Sequence, residues 1–188
     1  MIDISIKLER DNKVWEWVKS QSNKLITAGH VGTHIDVYNK SDVPEEYIRT
    51  EGVLVDCSNY DLDEEIGMEV LENVNIKSND FVIFKTNIQS NNPYGSEIYI
   101  NKHHQLSWEL IDYLLDKKVW FIGTDCAGIR RGKEHFKADI KGEKNKTYIV
   151  ENLDLSKIDY CNGCRFDVYT IWINNPISTG LSTRVFVK

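Results

Sequence analysis

Three short apolar runs, residues 52–57 (GVLVDC), 80–86 (DFVIFKT) and 119–122 (VWFI), constrain this chain more than any other feature. Each is too short to be a self-burying helix and is continuous rather than alternating, the pattern of strands covered on both faces. Elsewhere the period is two. Ile2, Ile4 and Ile6 alternate with Asp3, Ser5 and Lys7, while Phe166, Val168, Thr170 and Trp172, then Thr183, Val185 and Val187, repeat the pattern near the end. These segments predict strands with one face on a core. A helix is predicted over 107–117: Ser107 can cap it, Leu110, Ile111, Leu114 and Leu115 form a stripe, and Glu109 and Lys117 suit the macrodipole. A short helix over 63–73 is weakened by Gly67, and residues 141–146 mix charges in the manner of an exposed turn. The class is α/β, sheet-rich with one long helix. With no repeat and only three prolines in 188 residues, 1–188 reads as a single domain.

The chain has 23 basic against 29 acidic residues, a formal charge of −6. That balance opposes a phosphate-tracking nucleic-acid binder and a protein held on anionic lipid. No apolar run approaches the ~20 residues of a membrane span, and residues 1–20 lack the apolar stretch of a secretory signal, so a cytoplasmic location is expected. In that setting Cys57, Cys126, Cys161 and Cys164 are expected as thiols. The pair at 161 and 164 has no second ligand pair for structural zinc and opens no helix in a redox pattern.

The densest chemistry lies in residues 28–40, AGHVGTHIDVYNK. Two imidazoles and a carboxylate this close suit a first-row divalent metal, with His34 and Asp36 sharing a face if they lie on a strand, and Gly32 letting the chain bend His30 toward them. A metal there would bring a coordinated water to a pKa of about 7 and polarise a carbonyl. The alternative is two unrelated histidines, one bonding a backbone carbonyl. Arg130 and Arg131, on a glycine-flanked loop, suit either a clamp on a substrate carboxylate or phosphate, or plain solvated charge. Trp15 and Trp17 suit a wall for an aromatic substrate or a buried contact.

His30-Val31-Gly32-Thr33-His34-Ile35-Asp36 resembles the His-x-Gly-Thr-His-x-Asp signature of the cyclase family of metal-dependent hydrolases, which includes bacterial kynurenine formamidases. The likeness extends in order through residues 84–87 (FKTN), Leu106-Ser107, 121–125 (FIGTD), 149–153 (IVENL) and 176–185. It implies a swivelling β/β/α fold, one or two divalent metals, zinc or manganese, and hydrolysis of an amide or formamide of an aromatic amine. It also implies a homodimer or homotetramer. Carried over by position, His30, His34, Asp36 and Glu151 match ligands. Two positions depart. Lys40 stands where the family has an acid–base histidine, and Asp139 stands where formamidases have a histidine ligand. Residues 133–139 (KEHFKAD) are similar to an uncharacterised branch. The resulting expectation is a ligand set of His30, His34, Asp36, Asp139 and Glu151, with Lys40 or His135 relaying protons and Arg130, Arg131 and Trp15 meeting the substrate. Asp139 enriches the set in oxygen and makes it more tolerant of Mn²⁺. The alternative function is a non-catalytic metal or small-molecule binding protein that lost hydrolysis with the histidine.

Overall fold

The computed structural model describes residues 1–188. Its strands in chain order are β1 (Ile2–Asp3), β2 (His34–Asp36), β3 (Arg49–Asp56), β4 (Glu65–Ile66), β5 (Phe81–Lys85), β6 (Gln105–Leu106), β7 (Phe121–Thr124), β8 (Tyr148–Glu151), β9 (Arg165–Trp172) and β10 (Gly180–Val187). The helices are α1 (Val14–Ser20), α2 (Lys24–Gly29), α3 (Glu97–Asn101), α4 (Trp108–Asp116) and α5 (Lys133–Lys144).

The main sheet runs β10-β2-β8-β7-β5-β3-β9 and closes, because β9 also pairs with β10. β10 makes closure possible by dividing its length: Gly180–Ser182 pair with β2, and Thr183–Val187 pair with β9. The apolar runs form the parallel portion, β3, β5, β7 and β8. The alternating segments supply antiparallel neighbours. β4 and β6 make a separate two-stranded pair.

Side-chain parity divides the apolar residues into two cores. Ile35, Leu54, Phe81, Ile83, Phe121, Val150, Val168, Leu181 and Val185 fill the barrel. Val53, Val55, Val82, Phe84, Ile122 and Ile149 point outward and are covered by α4 through Leu110, Ile111, Leu114 and Leu115. Each of those buried helix side chains contributes about 2 kcal/mol relative to exposure. The predicted cap is present, with Ser107 Oγ accepting from the Leu110 amide at 3.1 Å.

Several local expectations are corrected. The longest helix is the 12-residue α5 rather than α4. Residues 141–144, read as an exposed turn, are its last turn, with Gly142 and Glu143 buried. Residues 63–73 form β4 and a 3₁₀ turn at Met68–Leu71, since Gly67 is extended and stops a helix. Trp15 and Trp17 lie on α1. Cys161 and Cys164 are joined as a disulfide within the turn before β9, whereas Cys57 and Cys126 are buried thiols. No helix is long and apolar enough to cross a membrane.

Candidate metal centre and its cavity

Parity also places the site. With Ile35 inside the barrel, His34 and Asp36 face outward; with Val150 inside, Glu151 does too. The β2–β8 register sets His34 directly opposite Glu151. Across this outer surface lies α5, whose His135 and Asp139, four apart and hence on one helical face, turn toward Glu151. His30 follows α2, which packs against β10 so tightly that a Cβ on Gly29 would sit 2.1 Å from the Gly180 carbonyl oxygen. Only glycine permits that approach, and it sets His30 over the strand.

The polar atoms converge. His30 Nδ1 lies 3.0 Å from Asp36 Oδ1 and 3.2 Å from His34 Nε2. His34 Nε2 lies 3.5 Å from Asp36 Oδ1 and 3.6 Å from Glu151 Oε2. His135 Nε2 is 3.3 Å from Asp139 Oδ2 and 3.6 Å from Glu151 Oε1. The groups form two overlapping clusters, one of His30, His34 and Asp36, the other of Asp36, His135, Asp139 and Glu151, with donor atoms within 4.8 Å of one another. Asp36 belongs to both. Backbone and hydroxyl partners aim the rings: His34 Nδ1 donates to the Gly32 carbonyl at 3.0 Å, and His30 Nε2 meets Thr179 Oγ1 at 3.0 Å. Such outer partners fix tautomer and orientation in metal sites.

Both oxygens of Asp36, both of Asp139 and Oε1 of Glu151 are sealed from solvent and accept no well-formed hydrogen bond, their nearest polar neighbours being the imidazoles and one another. Buried carboxylates without partners are costly. Burial, and then the charge of Asp36, joined by Glu143 in the first case and by Asp139 in the second, hold the Asp139 and Glu151 carboxyls well above the usual range. Burial acts on Asp36 in the same direction, but His34 and His30 outweigh it and hold that carboxyl low. Burial disfavours the His34 imidazolium, yet Asp36 beside it and the Gly32 carbonyl bring its pKa above the usual value. Three carboxylates and three imidazoles with unmet acceptor capacity fit one or two divalent cations, and the oxygen-rich share suits Mn²⁺ as well as Zn²⁺.

His30, His34, His135 and Glu151 line a cavity of about 420 Å³, whose other walls include Trp17, Ile26, Tyr38, Tyr94, Ile100 and His103. Sequence reasoning passed over most of these. Tyr38 was legible, because it continues the outward alternation of His34 and Asp36; it stacks on His30 at 5.9 Å and meets Phe136 edge-on at 4.7 Å. Tyr94 and His103 come from loops whose path no periodicity reveals.

Four candidates fall outside both the cavity and the two clusters. Lys40 is exposed, forms no ion pair, and occupies a left-handed turn (φ 56°). The cause is Glu143, a buried carboxylate of α5 that accepts from the Asn39 amide at 2.7 Å, Asn39 Nδ2 at 2.9 Å and the Ser41 amide at 3.0 Å. The clasp holds the backbone on both sides of Lys40 and leaves its side chain in solvent. Arg130 is buried, with its guanidinium bonded to Glu65, Glu134 and the Leu106 carbonyl, so it ties α5 to β6 and has no donor facing the cavity. Arg131 is half-buried beside Gln105, away from the lining. Trp15 bonds the Glu9 carbonyl and lines a different groove with Ile6 and Leu8; Trp17, on the opposite face of α1, lines the cavity instead.

Solved structures share this architecture across nearly its whole length. One described as a potential metal-dependent hydrolase with cyclase activity superposes with a TM-score of 0.76 at 18% identity, covering 99% of this chain and 96% of that one. A predicted metal-dependent hydrolase from Bacillus stearothermophilus gives 0.75 at 17% identity, with coverage of 99% and 96%. An isatin hydrolase bound to the product analogue thioisatinate gives 0.68 at 19%, with coverage of 85% and 73%. No curated protein sequence matches. The sequence profile of the Cyclase family matches residues 2–130, a span that contains β2 and the first metal cluster. With more than half of the chain matched, the chain belongs to the Cyclase family.

Proposed function

We propose that the chain is a divalent-metal-dependent hydrolase that opens amide or formamide bonds in small aromatic substrates. The observation that carries this reading is the set of buried carboxylate oxygens that accept no well-formed hydrogen bond, gathered with three imidazoles beside a 420 Å³ cavity. His30, His34, Asp36, His135, Asp139 and Glu151 would hold the metal, which supplies an activated water near neutral pH and polarises the scissile carbonyl. The chain's own groups do the rest. Trp17, Tyr38, Tyr94 and Ile100 offer apolar and aromatic walls for a ring. Tyr38 keeps its proton, because burial and then Asp36, Asp139 and Glu151 disfavour the phenolate. It serves as a neutral donor to an oxygen that gathers negative charge. Tyr94 accepts from the Gly32 amide at 2.8 Å, which leaves its own proton to donate. His135 belongs with the ligands rather than with proton relay, given its distances to Asp139 and Glu151. The structural relatives named as metal-dependent hydrolases and as isatin hydrolase support the same chemistry.

The test is elemental analysis of the purified protein, then reconstitution with Zn²⁺ or Mn²⁺ and assay against formanilide, N-formylkynurenine and isatin. Metal-dependent turnover that Asp36→Asn abolishes is the expected result. Absence of bound metal, with no uptake on reconstitution, would sink the reading. The solvent-facing Lys40 favours a second reading, a metal site that binds ligands without hydrolysing them. That reading expects metal uptake and ligand binding with no turnover of any panel member.

A further inference from the structure

His103 lines the same cavity as His30, His34 and His135 but belongs to neither ligand cluster. It follows α3 in the chain and is 1% exposed. Its Nδ1 sits 2.9 Å from the carbonyl of His104. A carbonyl only accepts, so Nδ1 carries the proton and Nε2 keeps its lone pair. The neighbouring ring is pinned in turn, with His104 Nε2 donating to the Tyr60 carbonyl at 3.0 Å. Nε2 of His103 has no partner within the protein and is not among the atoms sealed from solvent, so it is the polar point this ring presents to the cavity.

Other lining polar groups are committed or donate. Asn152 bonds Tyr99 through Oδ1 and the Gly32 carbonyl through Nδ2. Tyr94 and Tyr38 offer O–H groups. The cavity therefore presents phenolic donors together with a fixed, neutral acceptor. An amide carries the complementary pair, a carbonyl oxygen and an N–H.

We propose that His103 is a specificity-determining residue whose Nε2 accepts a hydrogen bond from the substrate N–H, so that the site selects amides bearing an N–H over their N-alkylated counterparts. Burial first, and then the nearby His135 and Arg131, hold the His103 pKa down at about 4, so the ring remains an acceptor throughout the neutral range. The inference rests on the hydrolase reading for its substrate class, but it is also tested by binding.

The experiment compares isatin with N-methylisatin, and formanilide with N-methylformanilide, on metal-loaded wild-type, His103→Phe and His103→Gln proteins. Each kcat/KM ratio is divided by the ratio for alkaline hydrolysis of the same pair. Wild type should favour the N–H member by roughly 10- to 100-fold, the cost of an unmet buried hydrogen bond, with most of the difference in KM. His103→Phe should bring the ratio to about 1, and His103→Gln, which keeps an acceptor near Nε2, should restore part of it. Discrimination that persists in His103→Phe means steric rejection of the methyl group and overturns the proposal, as does a wild-type ratio of 1. If His103→Phe does not fold, the wild-type and His103→Gln ratios decide. If no amide is hydrolysed, the hydrolase reading fails and calorimetric binding of isatin and N-methylisatin decides for His103. Tighter binding of isatin that His103→Phe abolishes supports the proposal; equal binding, or none, overturns it.

Discussion

Replacing Asp139 by asparagine should make the metal-free protein more stable and the metal-treated protein less so. Asp139 is 2% exposed, its oxygens lack partners, and burial, Asp36 and Glu143 push its pKa well above 3.8. In the unfolded chain at pH 7 the same carboxyl is ionised. Holding it protonated in the fold costs up to 1.36 × (7 − 3.8), about 4 kcal/mol. Asparagine removes that cost, and its amide can donate toward Glu151. A net gain of about 1–3 kcal/mol follows, and at roughly 2–4 °C per kcal/mol for a domain of this size the apo Tm should rise by about 3–10 °C. The sign with pH is fixed as well. A folded-state pKa above the unfolded value means that the folded protein binds the extra proton, so apo wild type loses stability as pH rises from 4 through neutrality. Metal reverses the order. At a hundred times Kd, a cation that binds only the folded state adds about 2.7 kcal/mol, a gain Asp139→Asn should largely forfeit. The assay is thermal melting of chelator-treated wild type and variant at pH 5 and pH 8, with and without Mn²⁺ or Zn²⁺. An apo variant that melts below apo wild type, or one that gains as much from metal, would refute the reasoning.

Three further outcomes follow from contacts already described. Glu143→Gln should cost about 2–3 kcal/mol in urea unfolding, because one carboxylate serves three donors and an amide NH₂ cannot accept. Lys40→Ala should leave metal affinity and turnover within about twofold, and Lys40→Gly should raise stability by about 0.5–1 kcal/mol at its positive φ; a tenfold loss of turnover in Lys40→Ala would return Lys40 to the chemistry. Gly29→Ala should cost about 3 kcal/mol or more and weaken metal binding through His30, since the new Cβ meets Gly180 backbone rather than a movable side chain. Equilibrium unfolding with metal titration reads both effects.

The pairing of His34 with Asp36 on one face was legible because alternation is local physics. Once Ile35 faces the barrel, His34 and Asp36 share the opposite face; Glu151 on β8 obeys the same parity but was reached through the family resemblance. α5 was not legible as a helix, although its segment was singled out. A helix normally announces itself by an apolar stripe, but the inward face of α5 carries His135, Asp139, Gly142 and Glu143, which meet the metal site and the clasped turn instead of a greasy core. Lys40 and Arg130 were misdirected for a related reason. Glu143, far away in sequence, turns Lys40 outward through the backbone, and Arg130 is held by distant Glu65 together with Glu134 four residues on. The two long-range contacts leave no local signature.

Closure of the barrel has a kinetic consequence. β2 carries two of the candidate ligands within three residues, yet it gains its hydrogen-bonded neighbours only from β8 and from residues 180–182 of β10. Bringing such distant segments together means closing long loops before any contact rewards them, which makes the pairing a late event in folding. The binding groups are therefore scattered until the chain has nearly finished folding, and a cation meets an assembled pocket rather than templating one. Refolding rates should then be nearly indifferent to metal, while unfolding slows in its presence.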